Sequence, residues 1–152
     1  MNDLDLDLDG FLPYRLNVLA KRVSKELSRR YQQAFGIAIP EWRVMAILGR
    51  EQPLSSNDIV ERSHMDKAKV SRAVNTLVGL GHLSRDVHPG DQRLLRLSFT
   101  PSGRSLYQRI APLALEWEAQ WLTCLQPDEL AHYKALCDRL EQQLDDMGAE
   151  EA

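Results

Sequence analysis

From Lys67 to Arg85 the chain contains no aspartate or glutamate, while Lys67, Lys69, Arg72 and Arg85 are all basic. Within this stretch Val70, Ala73, Val74, Leu77 and Leu80 recur at intervals of three and four. That spacing predicts a helix with those five residues turned inward. Lys67, Lys69, Ser71, Arg72, Asn75 and Thr76 are then turned outward. Arginine and lysine can donate to guanine edges, asparagine can pair with adenine, and serine or threonine can contact bases or phosphates. An ordinary exposed helix face is also polar, but ordinary surfaces mix the two signs of charge. Further basic and polar groups, Arg85, His88, Gln92, Arg93 and Arg96, surround the turn sequence His88-Pro89-Gly90-Asp91. The chemistry expected of such a set is recognition of a polyanion.

Other chemistries find little support. His64, His82, His88 and His132 fall on separate segments, and Cys124 and Cys137 have no metal-ligand spacing. There is no nucleophile-elbow motif and no glycine-rich phosphate loop. No enzymatic activity, metal or cofactor is expected.

Charge is unevenly divided among the 152 residues. Residues 1–10 hold four aspartates and no base. Residues 11–110 hold 17 Lys/Arg against 8 Asp/Glu, and residues 111–152 hold 2 against 10. The overall charge of −3 therefore hides a basic body between two acidic ends. No apolar run approaches the roughly 20 residues that span a bilayer. The acidic start does not read as a secretion signal, so a cytoplasmic protein without membrane contact is expected.

The elements that must position these groups follow from periodicity and punctuation. Leu12, Leu16, Leu19, Val23, Leu27, Tyr31 and Ala34 predict a first helix, with Pro13 near its start and Gly36 at its stop. Pro40 opens a second helix whose core face is Val44, Ile47 and Leu48. Ser55 and Asp58 form a capping box for a short third helix carrying Ile59 and Val60. Ser63-His64-Met65 makes a turn, Asp66 caps the fourth helix, and Gly81 ends it. The period then changes to two. Residues 82–87 and the alternation of Leu95, Leu97 and Phe99 predict two strands of a hairpin. Pro101 starts a fifth helix, with a kink expected at Pro112. In a sixth, Leu130, Tyr133, Cys137, Leu140, Leu144 and Met147 recur at the spacing of a helix–helix seam.

Two short helices joined by a tight turn, followed by a strand-turn-strand, describe a winged helix-turn-helix. The expected fold is mainly α, with a two-stranded wing hairpin and N- and C-terminal dimerisation helices. The expected organisation is an acidic arm (1–10), a dimerisation helix (11–36), a DNA-binding lobe (37–100), C-terminal dimerisation helices (101–147) and a tail (148–152). A recognition helix fits the major groove of double-stranded DNA, and a wing beside it reaches backbone or minor groove. Candidate DNA contacts are Ser55, Ser56 and Asn57, the six outward residues of the fourth helix, and Arg85, His88, Gln92, Arg93 and Arg96. Asp91 is expected to orient Arg93 or Arg85.

The runs Gly81-His82-Leu83-Ser84-Arg85, Asp91-Gln92-Arg93 and Leu97-Ser98-Phe99-Thr100-Pro101-Ser102-Gly103 resemble the signature of the MarR family of bacterial regulators. Leu54-Ser55-Ser56-Asn57-Asp58-Ile59-Val60 does so too, and the resemblance spans roughly residues 12–146. It implies a homodimer built from the first, fifth and sixth helices, in which Leu12, Leu16, Leu130, Tyr133, Cys137, Leu140 and Leu144 make the subunit contact. It also implies binding to a pseudopalindromic operator, commonly as a repressor, and release of DNA by a small ligand. Arg93 is the matching wing-tip arginine. Positions matching the family's effector site include Tyr14, Arg15, Val18, Arg22, Trp42, Met45, His64 and Met65. An arginine with aromatic neighbours suits an aromatic carboxylate or its coenzyme A ester. The alternatives are a regulator switched by oxidation of a cysteine, and a dimeric adaptor that does not bind DNA.

Overall fold

The computed structural model describes residues 5–150, with the side chains of His88, Gln92, Arg93 and Glu150 outside the description. The order of elements is α1 (Leu12–Phe35), α2 (Ile39–Arg50), β1 (Leu54–Ser55), α3 (Ser56–Ser63), α4 (Lys67–Gly79), β2 (Leu83–His88), β3 (Asp91–Phe99), α5 (Pro101–Trp121) and α6 (Pro127–Glu150). A short 3-10 turn, Leu122–Cys124, precedes α6. Two compact units divide the chain, residues 1–112 and residues 113–152. The division falls at Pro112, the proline inside α5.

The core belongs to the first unit. Val44, Met45 and Leu48 of α2, Ile59 of α3, and Val70, Ala73, Val74 and Leu77 of α4 are buried, with Leu54, Leu83 and Leu97 from the sheet. Tyr31 of α1 is buried against Trp42, ring centroids 5.5 Å apart, and burial raises its phenol pKa. Trp42 in turn stacks on Tyr107 of α5 at 6.1 Å, and Tyr107 on Phe99 at 5.6 Å. Gly49 admits this stack, because a Cβ there would overlap the Tyr107 ring.

Each helix end has a local cause. Gly36 stops α1 in the left-handed region (φ 66°), donating its N–H to the Gln32 carbonyl. The carboxylate of Glu41 reaches back to the N–H of Ala38 at 2.6 Å and caps α2. At the start of α3, Asp58 N–H donates to Ser55 Oγ (3.1 Å), and Ser55 N–H donates to the Asp58 carboxylate (2.8 Å). At the end of α4, His82 N–H donates to the Leu77 carbonyl and Gly81 N–H to Val78, a Schellman motif with Gly81 at φ 77°.

Three differences from the sequence-based expectation stand out. The wing sheet has three strands, in the order β1-β3-β2, because Leu54 and Ser55 pair antiparallel with Leu97 and Arg96. Two residues after a proline, the second of them itself the helix cap, leave no periodicity to detect. Leu80, expected inward, is 55% exposed. Leu80 is the cap residue, still helical in backbone at φ −80°, and the chain reverses at Gly81, so Leu80 lies past the last packed turn of the helix. Leu95, expected to share the buried face of Leu97, is 48% exposed. Leu97 lies between Leu54 and Arg85 in the sheet, whereas Leu95 pairs only with Val87, beyond the reach of β1.

In the second unit, Trp117 and Trp121 stack at 5.5 Å along the end of α5. Glu129 accepts from the Gln126 N–H at 2.8 Å and caps α6. No residue of α6 is buried among those described. Its apolar residues Tyr133, Leu136, Leu140, Leu144 and Met147 are all exposed.

Candidate nucleic-acid interface

The helix-turn-helix is set by its connecting turn. His64 takes the left-handed conformation at φ 54°, which histidine tolerates better than β-branched residues do. Ser63 Oγ accepts from the Met65 N–H at 3.2 Å and donates to the Val60 carbonyl at 3.3 Å. Met65 is buried and pins the turn to the core. Asp66 then accepts from the Lys69 N–H at 2.7 Å and starts α4.

With Val70, Ala73, Val74 and Leu77 buried, Lys67, Lys69, Ser71, Arg72, Asn75 and Thr76 are all exposed along α4. The structure brings these six candidate residues together on one helix face. No carboxylate interrupts that face, since Asp66 is engaged in the cap.

The wing residues divide. Arg85 of β2 is exposed, and its guanidinium donates to the Oδ1 of Asn75 on α4. Arg96 is half-buried and donates to the Pro53 carbonyl at 3.3 Å. It sits opposite both Asp86 and Ser55 in the sheet, so it ties the wing to the α2–α3 connection. The side chains of His88, Gln92 and Arg93 lie outside the described residues. On α3, Ser56 and Asn57 are exposed, whereas the Ser55 hydroxyl is engaged by Asp58 in the cap at 2.7 Å.

These bonds with Ser55, side chain first and backbone second, hold the Asp58 carboxyl below its usual range. Its contribution is therefore fully present above the unfolded carboxylate pKa and is lost as pH falls through the lower folded value. Replacing Asp58, the N3 partner in this capping box, by alanine is expected to cost about 0.3–1.5 kcal/mol at neutral pH. Urea unfolding across a pH series should show the gap between variant and native protein closing in acid. A gap independent of pH would show that Asp58 does not cap as a carboxylate.

A close junction fixes α4 and the wing to the start of α5. Thr100 Oγ1 donates to the Gly81 carbonyl at 2.6 Å and accepts from the Gly103 N–H at 3.1 Å. Thr100 N–H donates to the His82 carbonyl, and His82 Nδ1 lies 2.9 Å from Ser102 Oγ. The run Thr100-Pro101-Ser102-Gly103 has its physical reason in this junction. Gly103 is buried, and any Cβ there would overlap the His82 carbonyl oxygen.

The eight candidate effector residues fall into different environments. Tyr14, Arg15, Val18 and Arg22 are exposed on α1. Met45 is wholly buried and Met65 buried, both core residues with almost no surface to offer a ligand here. Trp42 is half-buried in the aromatic stack, and His64 is the exposed α3 cap in the helix-turn-helix. Of the candidate subunit contacts, Leu12 and Leu16 are exposed on α1, and Tyr133, Leu140 and Leu144 on α6. Leu130 and Cys137 are half-buried, and Cys124 is exposed after α5. No group of three His, Cys, Asp or Glu side chains suited to a metal occurs among the described residues. No described helix is long and apolar enough to cross a membrane.

Residues 35–94, from the end of α1 through most of the wing, match the MarR family model. Mycobacterial HTH-type transcriptional regulators match 124 residues at 23–24% identity, covering 82% of this chain and 86% of theirs. The MarR/EmrR family transcriptional regulator from Acinetobacter sp. ADP1 superimposes with a TM-score of 0.85 at 28% identity, covering 93% of this chain and 99% of that one. Two more distant structures share the fold. Staphylococcus aureus MepR, solved in complex with DNA, has a TM-score of 0.79 at 19% identity, with coverage of 90% and 98%. Streptomyces coelicolor PcaV, solved with its natural ligand, has a TM-score of 0.76 at 22% identity, with coverage of 91% and 96%. The matching relatives are transcription regulators rather than enzymes. The winged helix-turn-helix, its acid-free outer face and these matches together liken the chain to the MarR family of DNA-binding transcription regulators, most directly over residues 35–94.

Proposed function

We propose that the protein acts in the cytoplasm as a homodimeric repressor on a pseudopalindromic operator and is released by a small ligand such as an aromatic acid or its coenzyme A ester. The observation that carries the DNA reading is the exposed face of α4, where Lys67, Lys69 and Arg72 project with no acid among them. Helix α4 enters the major groove, and the wing, with Arg93 near its tip, follows the backbone or minor groove. Ser56 and Asn57 at the start of α3 flank the phosphates.

The dimer reading rests on exposed leucines. Leu12, Leu16 and Leu19 on α1, and Leu140 and Leu144 on α6, leave apolar surface that a second copy can cover. Residues 11–36 and 101–147 are then the dimerisation elements, around a DNA-binding lobe of residues 37–100. The ligand reading rests on Tyr14, Arg15, Val18 and Arg22 standing exposed together on α1. A guanidinium there fixes a carboxylate while an aromatic ring packs beside it. The MepR complex with DNA and the PcaV complex with its ligand are precedents for the two binding events within this fold.

Fluorescence anisotropy on DNA from the gene's own upstream region, over a range of salt, tests the reading. Binding is expected to weaken steeply with salt, and Arg72→Ala to reduce the slope by about one phosphate's worth. One compound from a panel of aromatic acids and their coenzyme A esters should release the DNA. Binding that no compound disturbs removes the ligand class. Failure on this DNA and in a broad random-sequence selection removes the regulator reading.

A further inference from the structure

The outward residues of α4 are not equally available. Asn75 lies one turn beyond Ser71 on the same exposed stripe, beside Arg72. Its side-chain carbonyl is the acceptor for Arg85, which reaches over from β2. A guanidinium has five donors and no acceptor, so only the oxygen of the amide can face it. The orientation of Asn75 is thereby fixed by chemistry. Its NH2 group is the end not engaged by Arg85, on a residue that is exposed.

An asparagine that recognises adenine uses both ends, accepting from N6–H and donating to N7. Arg85 takes one of the two lone pairs of the Asn75 oxygen and sets its positive charge beside that end, which disfavours a second donor such as adenine N6–H. The NH2 group it retains supplies two donors, which match the adjacent N7 and O6 acceptors of guanine. Adenine presents one acceptor and one donor on the same edge, and its N6–H2 would meet a donor.

We infer that Arg85 is a positioning residue that holds Asn75 as a donor reader, so that this position of the recognition helix selects guanine over adenine. The inference rests on α4 reading DNA in the major groove, as proposed above. It reverses the pairing that the residue type alone suggests. It also assigns Arg85, an expected DNA contact, to orienting a neighbour.

The test is selection from random duplexes with sequencing of the bound pool, run on the native protein and on Asn75→Ala, Asn75→Asp and Arg85→Met. The native protein should select guanine at one symmetry-related pair of positions, on the order of tenfold or more over adenine. Asn75→Ala should flatten that pair and leave the rest of the consensus intact. Asn75→Asp keeps a partner for Arg85, so its melting temperature should not fall. Lacking donors, it should lose the guanine preference and bind every site more weakly. Arg85→Met frees the Asn75 oxygen while keeping aliphatic bulk, and should move the same pair toward adenine. A merely structural role for Arg85 would lower affinity without changing the preferred base. Adenine already preferred by the native protein at the Asn75-dependent position, or a consensus unchanged in Asn75→Ala, overturns the inference alone. A native protein that selects no consensus overturns the operator reading and the inference with it.

Discussion

Gly103→Ala is expected to destabilise the protein by about 3 kcal/mol or more, the upper range for forcing extra atoms into a packed site. The new Cβ would overlap the His82 carbonyl oxygen and lie 2.8 Å from its carbonyl carbon. Both partners are backbone, so no side-chain rotation relieves the contact. Moving His82 away would break the Thr100 N–H bond to its carbonyl and strain the Thr100 hydroxyl bond to Gly81. At roughly 2–4 °C per kcal/mol for a protein of this size, the melting temperature should fall by about 6–12 °C. Gly79→Ala is the matched control, because a Cβ there meets nothing within 4 Å. Thermal melts of both variants by circular dichroism decide the matter. A Gly103→Ala melt within a degree of the native one would mean that the junction relaxes freely and that α5 is not held through it.

Leu140→Asp is expected to convert the dimer to monomers and to weaken operator binding by a hundredfold or more. Leu140 lies mid-way along α6 and is 48% exposed in the single chain. A carboxylate there should therefore leave the helix formed. In a subunit interface the same carboxylate is buried without a partner, which costs several kcal/mol. Two half-sites bound by linked subunits gain about 10²–10⁴ in affinity over one, and that gain disappears with the dimer. Sedimentation equilibrium with anisotropy on the same samples separates the two effects. Monomers with unchanged helix content and weak DNA binding are the expected result. A stable dimer that binds DNA normally would place the subunit contact elsewhere than the α6 seam.

Much of the site was legible because it is written in local chemistry. The capping box of Ser55 and Asp58, the Asp66 cap and the Gly81 stop are decided within three or four residues, and the structure contains all of them. The buried face of α4 follows from a 3–4 period, and its outward polar face is the complement of that period. The wing strands announce themselves by a change of period from 3.6 to 2. Leu80 and Leu95 were misplaced because periodicity extends past the point where an element still has something to pack against. The effector candidates divide, with Met45 and Met65 in the core and Tyr14 and Arg15 on the surface, because residue type alone does not separate a side chain that packs from one that stays open to a ligand.

What the sequence determined by itself, then, is the order of helices and strands, their caps, and a basic acid-free helix face, all consequences of short-range pattern. What the tertiary structure alone decided depends on pairs distant in the chain. Strand β1 exists because Leu54 meets Leu97. Gly103 is required because α5 starts against the carbonyl of His82. Asn75 offers its donor end because Arg85, ten residues away on a different element, engages its oxygen. Residue type lists the hydrogen bonds a side chain can make, and the neighbour that folding supplies determines which of them remain for a ligand.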